Sequence, residues 1–174
     1  ADKYNVLVSV RREGSSKFGA NNKWGTFPSA SLGWTISNES FMKSLTWINN
    51  LKIRAGFGVT GVIPSDSYQS LTRWKLGDPY YYDNGKWYQG LNVYSNPNPN
   101  LKWEKSTEFN VGIDWSVLND RLSGTIDMYH KNTSGMLWSY DVPCPPNLYN
   151  TTLANVGKMR NMGIEIAVND VPVR

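Results

Sequence analysis

The stretch FNVGIDWSVLNDRLSGTIDM, residues 109–128, decides the fold of this chain. Apolar residues alternate with polar or small ones from Phe109 to Val117, and a second alternating run begins at Arg121. Between the two runs lies the polar pair Asn119-Asp120. Successive side chains of a strand point to opposite faces, so a period of two predicts two antiparallel strands joined by a tight hairpin.

The same two-residue period recurs on both sides of this hairpin. Together the segments give six predicted strands, at residues 3–12, 28–36, 51–60, 109–117, 121–131 and 162–168. This repetition predicts an all-β, antiparallel, up-and-down architecture. It also predicts that one set of apolar side chains shares a face while their sequence neighbours occupy the other: Val8, Leu32, Phe57, Ile113, Ile126 and Ile164.

The length of the alternating runs separates two kinds of β architecture. Strands of soluble proteins usually contain about 5–6 residues, whereas a tilted strand needs about 9–11 residues to cross a bilayer. The runs here are about 9–12 residues long, and their polar positions are rich in Gly, Ser, Asn and Thr. We therefore expect a segment of a transmembrane β-barrel whose apolar face meets lipid. A soluble carbohydrate-binding β-sandwich remains the alternative.

The connections between the predicted strands differ in length in a regular way. Residues 13–23, 61–102 and 132–156 form long loops, 37–50 is moderate, and Asn119-Asp120 is predicted to be the shortest connection. Outer-membrane barrels have short periplasmic turns and long extracellular loops. Placing Asn119-Asp120 in the periplasm puts all three long loops outside the cell. The segment 37–50 begins with capping-type residues and is predicted to form a short helical turn.

The composition excludes several classes of function. Cys144 and His130 are the single cysteine and the single histidine, so the chain cannot form an internal disulfide, a cysteine metal cluster or a histidine metal site. No Ser-His-Asp set or phosphate-binding loop is present, so we predict neither an enzyme nor a bound cofactor. The net charge of +4 comes from scattered residues. Without a basic cluster, no nucleic-acid partner is predicted.

Aromatic residues make up 13% of the chain and concentrate in the longest predicted loop. The aromatic residues of this loop are predicted to bind ligand: Trp74, Tyr80, Tyr81, Tyr82, Trp87 and Tyr88. Flat rings stack on sugars or peptide side chains, but they also pack a loop onto itself or onto a lid partner. Five other tryptophans are interpreted as girdle or packing residues: Trp34, Trp47, Trp103, Trp115 and Trp138.

Four ordered motifs resemble the SusC/RagA family of TonB-dependent outer-membrane transporters. They are VRREGSSKFG at 10–19 continuing to NKWGTFPS at 22–29, LKIRA at 51–55 with GVTG at 58–61, NPNLKWEK at 98–105, and VG at 156–157 with NMGIE at 161–165. The resemblance covers nearly the whole chain.

This resemblance implies a fold, a location and a set of partners. Members of the family have a 22-stranded barrel, a plug domain and a TonB-contacting segment in the outer membrane, where the barrel contacts lipid. They import glycans or peptides together with a SusD-like surface lipoprotein. We therefore assign residues 1–174 to about six strands of such a barrel. We expect the plug domain and the contact with TonB to lie in a part of the protein outside these residues.

Overall fold

The computed structural model describes residues 3–172, and the regular secondary structure of these residues is almost wholly β-strand. Residues 1–2 and 173–174, which the predicted barrel domain includes, lie outside the described part. Among residues 3–172 no helix has the length and apolar character needed to cross a bilayer. The strands are β1 (Tyr4–Gly14), β2 (Trp24–Thr35), β3 (Ile48–Val62), β4 (Arg73–Asp83), β5 (Lys86–Ser95), β6 (Glu104–Val117), β7 (Leu122–Asp141) and β8 (Thr151–Asp170).

Six of these strands form one antiparallel sheet in the order β1-β2-β3-β6-β7-β8. The six predicted strands and their pairing with sequence neighbours are therefore confirmed. Strands β7 and β8 are 20 residues long each, so the prediction of a loop over 132–156 is wrong. The pairing shifts register between Ser134 and Leu137, and these irregularities break the alternation on which the prediction relied.

Side chains divide cleanly between the two faces of the sheet. The six apolar residues predicted to share a face do so, which confirms that expectation. Directly paired positions across all six strands form an apolar row, Tyr4, Trp34, Ile53, Ile113, Ile126 and Ile166. One residue further along each strand, the opposite face carries a mostly polar row, Asn5, Gly33, Arg54, Gly112, Asp127 and Glu165. The polar face lines a broad hollow.

Two connections meet at one end of the sheet, which we call the short-turn end. The connection between β2 and β3 contains two 3₁₀ turns, at Ile36–Asn38 and Ser40–Met42, which confirms the predicted short helical turn. The side-chain oxygen of Asn49 accepts hydrogen bonds from the backbone N–H of Asn119 at 2.8 Å and of Asp120 at 3.3 Å. The β1–β2, β3–β6 and β7–β8 connections lie at the opposite end, the long-loop end.

Strands β4 and β5 form a separate two-stranded ribbon inside the β3–β6 connection. The prediction of a strandless loop over 61–102 is therefore wrong. Asn84 and Gly85 form the turn with φ angles of 46° and 79°, and two successive positive φ values define a type I′ hairpin turn, for which Asn-Gly is favoured. This two-residue turn is shorter than the connection at 118–121, so the prediction of the shortest connection is also wrong.

Candidate functional site

A small apolar core closes the long-loop end of the sheet. Phe18, Phe27, Leu101 and Trp103 form this outer cluster, in which Phe18 is 2% and Leu101 0% exposed. The ring of Trp103 lies 4.9 Å from that of Phe18 and 5.2 Å from that of Phe27, between centroids. Its indole N–H donates to the carbonyl oxygen of Lys23 at 3.2 Å. The outer cluster therefore joins the β1–β2 loop, the start of β2 and the segment before β6.

The family-like motifs at 10–29 and 98–105 supply all four residues of the outer cluster. The two motifs also meet through backbone: the N–H of Gly19 donates to the carbonyl of Leu101 at 3.3 Å. A Cβ on Gly19 would overlap the carbonyl oxygen of Pro99, so this approach requires a residue without a side chain. The interpretation of Trp103 as a packing residue is consistent with these contacts.

Asparagine side chains fix the C-terminal end of the ribbon to the β7–β8 loop and the start of β8. Asn96 is 7% exposed. The two N–H groups of its Nδ2 face three acceptors, the carbonyls of Tyr149 at 2.6 Å and Thr151 at 2.9 Å and the hydroxyl of Thr152 at 2.9 Å. Its Oδ1 accepts from the backbone N–H of Leu148 and of Tyr149, both at 3.0 Å. The Asn96 side chain thus pairs with backbone N–H and C=O groups of the β7–β8 loop and β8, as a neighbouring strand would.

Two more asparagines continue the same attachment. Asn98 donates to the carbonyl of Leu153 at 2.8 Å. Asn155 accepts from the N–H of Lys102 at 3.0 Å and donates to its carbonyl at 2.7 Å. We call Asn96, Asn98 and Asn155 the asparagine latch. Sequence reasoning missed it, because no local pattern distinguishes an asparagine that bonds a distant backbone from one in a solvated loop.

All six aromatic residues predicted to bind ligand lie on the ribbon and are exposed, from 46% for Tyr88 to 64% for Trp87. Tyr82 lies opposite Trp87, with ring centroids 5.1 Å apart. Tyr81 lies opposite Tyr88, with centroids 6.1 Å apart. Adjacent cross-strand pairs point to opposite faces, so the structure brings the six together on one element but divides them between two faces.

The remaining two aromatics complete these faces. Trp74 pairs with Val93, which lies on the same side of β5 as Trp87. A Cβ on Gly90, which lies on the same side as Tyr88, would overlap the ring of Tyr80. We call the first group the tryptophan face (Trp74, Tyr82 and Trp87) and the second the tyrosine face (Tyr80, Tyr81 and Tyr88).

The polar face of the sheet carries an ion-pair network across three strands. Arg54 of β3 makes a bidentate contact with Asp114 of β6, both distances being 2.8 Å. It also reaches Asp127 of β7 at 2.9 Å. A Cβ on Gly112 would overlap Asp127 and crowd the Arg54 guanidinium, so glycine at this position makes room for the second contact.

A carboxylate organises the short-turn end. Glu39 accepts hydrogen bonds from the ammonium of Lys3 at 2.8 Å, the hydroxyl of Tyr4 at 2.6 Å and the indole of Trp34 at 3.2 Å. These three donors, Lys3 first, lower the pKa of Glu39 from 4.5 to about 2. Within residues 3–172, no group of three or more His, Cys, Asp or Glu side chains is placed to hold a metal ion.

The chain matches the family model described as TonB dependent receptor-like, beta-barrel, over residues 1–170. It is 36% identical to the TonB-dependent receptor SusC of Bacteroides thetaiotaomicron, over 99% of this chain and 17% of SusC. It is 38% identical to the TonB-dependent receptor P39 of Formosa agariphila, over 99% of this chain and 16% of P39. The chain thus spans about a sixth of the length of these relatives.

Solved structures give the same assignment. The RagAB peptide importer in its closed-closed state matches with a TM-score of 0.86 and 28% identity, over 99% of this chain and 18% of that chain. Its open-open state matches with a TM-score of 0.81 and 30% identity, over 95% of this chain and 18% of that chain. These relatives are receptors and transporters rather than enzymes, and the match sets aside the β-sandwich alternative. The chain belongs to the TonB-dependent receptor family, as a SusC/RagA-like segment of its β-barrel.

Proposed function

We propose that this chain forms part of the wall and the outer mouth of a TonB-dependent transporter that imports glycans or peptides across the outer membrane. The carrying observation is the division of the six-stranded sheet into a continuous apolar face and an ion-paired polar face. Lipid is the environment that suits the apolar face, and a wet interior suits Arg54 and its two aspartates.

Strand length supports this placement. At about 3.3 Å per residue, a strand of 20 residues is roughly 65 Å long. Crossing a hydrocarbon core of about 30 Å at a tilt near 40° takes roughly 40 Å of strand. Strands β7 and β8 therefore extend well beyond the core at the long-loop end, beside the ribbon. On this proposal the ribbon stands outside the cell.

The ribbon then contacts the substrate with its aromatic side chains. Exposed rings on a two-stranded ribbon that is fixed at its base by the asparagine latch offer flat surfaces with little conformational freedom to lose. The family resemblance implies two partners of the complete transporter. A SusD-like surface lipoprotein covers the mouth, and TonB contacts a part of the protein outside this chain.

The experiment uses two matched double variants of the full-length transporter. Tyr81→Ala with Tyr88→Ala removes a pair from the tyrosine face, and Tyr82→Ala with Trp87→Ala removes the neighbouring pair from the tryptophan face. A strain whose growth on a panel of glycans and peptides depends on this transporter identifies the substrate. Substrate affinity is then measured by titration, and barrel assembly by heat-modifiable gel mobility.

We expect removal of the pair that contacts substrate to weaken substrate binding about tenfold, since a stacked ring contributes roughly 0.5–1.5 kcal/mol. The other pair serves as the control, with the same number of rings removed. Unchanged affinity in both correctly assembled variants would show that the aromatics pack against protein and do not contact the ligand. Growth that never depends on the transporter would contradict the import function itself.

A further inference from the structure

Arg73, the first residue of β4, lies at the base of the ribbon. Its guanidinium carbon lies 4.8 Å from the centre of the Tyr94 ring. Its Nε donates to the hydroxyl of Ser95 at 3.1 Å, and that hydroxyl in turn donates to the carbonyl of Leu71 at 3.4 Å. A ring face and an oriented hydroxyl thus hold the guanidinium plane in one position.

The two terminal nitrogens of Arg73 are left free by this arrangement. Within the described residues they have no hydrogen-bond or ion-pair partner. Arg73 is partly buried. A planar cation that is oriented, partly desolvated and unpaired is arranged to receive a planar or tetrahedral oxyanion through two parallel hydrogen bonds.

Arg73 lines a cleft of about 240 Å³ between the ribbon and the outer ends of β7 and β8. The side chains lining it include Gln69, Ser139 and Thr151, and no acidic residue is among them. One water occupies about 30 Å³ in the liquid, so the cleft holds more than an ion and leaves room for the group that carries the charge. The hydroxyls of Ser139 and Thr151 and the amide of Gln69 are suited to hydrogen-bond polar atoms that lie next to that charge.

The cleft opens on the side of the sheet that the outer cluster occupies. Ser139 lies two residues from Leu137, and Thr151 lies two residues from Leu153. Both leucines pack against the outer cluster, and residues two apart in a strand share a face. The guanidinium therefore lies beside the outer cluster, at the long-loop end of the sheet.

We infer that Arg73 and its cleft form a subsite for an oxyanion of the imported substrate, a carboxylate of an acidic sugar or of a peptide. This inference rests on the proposed import function and specifies its substrate class. A carboxylate of the partner lipoprotein is the competing occupant, and the experiment separates the two.

The test compares three variants of the full-length transporter. Arg73→Gln removes the charge, and Arg73→Lys keeps the charge without the bidentate geometry. Arg12→Gln is the matched control, because Arg12 also stacks on an aromatic ring, that of Trp24 at 5.3 Å, and is not among the residues that line the cleft at Arg73. Crystals of the wild type and of Arg73→Gln are soaked in selenate, whose anomalous signal locates a bound oxyanion.

Affinities are then measured for two pairs of probes that differ only in charge. One pair is trigalacturonate and its methyl ester, and the other is trialanine and its C-terminal amide. We expect selenate beside Arg73 in the wild type only. We also expect the acid of at least one pair to bind roughly tenfold to a hundredfold more tightly than its neutral form. Arg73→Gln should abolish that preference, Arg73→Lys reduce it and Arg12→Gln retain it.

The opposite results are equally decisive. The absence of a selenate peak, or a peak without preference for either acid, would overturn the subsite. If the tyrosine-face or tryptophan-face variants still impaired uptake, the import function would stand while this inference fell. If Arg73→Gln weakened the association with the lipoprotein and left probe affinity unchanged, the partner's carboxylate would be the occupant, and the substrate assignment would be wrong.

Discussion

Replacing Asn96 by alanine removes the central contact of the asparagine latch. The change removes the two N–H donors of Nδ2, which face three acceptors, and the Oδ1 that accepts two hydrogen bonds. It leaves backbone groups of Leu148, Tyr149 and Thr151 without these partners. Residue 96 is buried, so water replaces them only if the β7–β8 loop moves away from the ribbon. We therefore expect a local opening and an intact sheet.

The size of this effect follows from the number of bonds. A neutral hydrogen bond contributes about 0.5–1.5 kcal/mol net, and a buried group left unpaired costs about 1–3 kcal/mol. Allowing for partial rehydration, we expect the free energy of local opening to fall by about 2–4 kcal/mol. This corresponds to amide exchange that is roughly 30-fold to several hundredfold faster.

Hydrogen–deuterium exchange of the full-length transporter measures this change. Peptides that cover 142–153 and 86–98 should exchange faster, while those from 104–117 should not change. Asn100→Ala is the matched control, since only backbone atoms of Asn100 take part in the hydrogen bonds described for it. Unaltered exchange over 142–153, or an equal increase in the control, would refute the role of Asn96.

Three further changes test other contacts. Gly19→Ala places a Cβ against a backbone carbonyl, and overpacking of this kind destabilises the folded state by about 1–3 kcal/mol. The unfolding temperature seen by heat-modifiable gel mobility should therefore fall, and an unaltered temperature would contradict the close approach. Gly112→Ala should separate Arg54 from Asp127 beyond 4 Å in a crystal structure, with a small cost of about 1 kcal/mol or less because the pair is partly exposed; a retained pair would refute the steric argument. The pKa of Glu39 is lowered in the folded state, so its stabilising effect should be complete above pH 4.5 and disappear as the pH falls to about 2. Unfolding temperatures of the wild type and of Glu39→Gln should therefore converge only near pH 2, and convergence already at pH 4 would contradict it.

The period of two was sufficient to predict the sheet and its two faces. Six strands, their order and the positions of Ile113 and Arg54 on opposite faces all follow from alternation, because apolar side chains line one face across the middle of all six strands. The alternation did not predict the ribbon, because the consecutive aromatics at 80–82 occupy both of its faces and the register shifts between Leu76 and Tyr81. The Asn84-Gly85 turn was the available signal for it.

The contacts at the long-loop end could not be predicted in the same way. Trp103 and Lys23 are 80 residues apart, and Asn96 and Tyr149 are 53 apart. No local pattern encodes such meetings. Family resemblance marked the stretches that supply the outer cluster but not their mutual contact. The candidate aromatics are exposed in the structure, and their binding of ligand stays a prediction. Their division between two faces depends on a turn and on bulges that the alternation does not show.

The outer cluster also has a consequence for how the mouth can diversify. It forms a small buried core between the sheet, the β1–β2 loop and the segment before β6, so the shape of this end of the sheet does not depend on the exposed loop tips. Sequence insertions at the Asn84-Gly85 turn or around 144–146, both exposed, leave that core intact, whereas insertions within 16–20 disrupt it. Residues at these tips can therefore change while the outer cluster is retained, and a display tag belongs at the same positions.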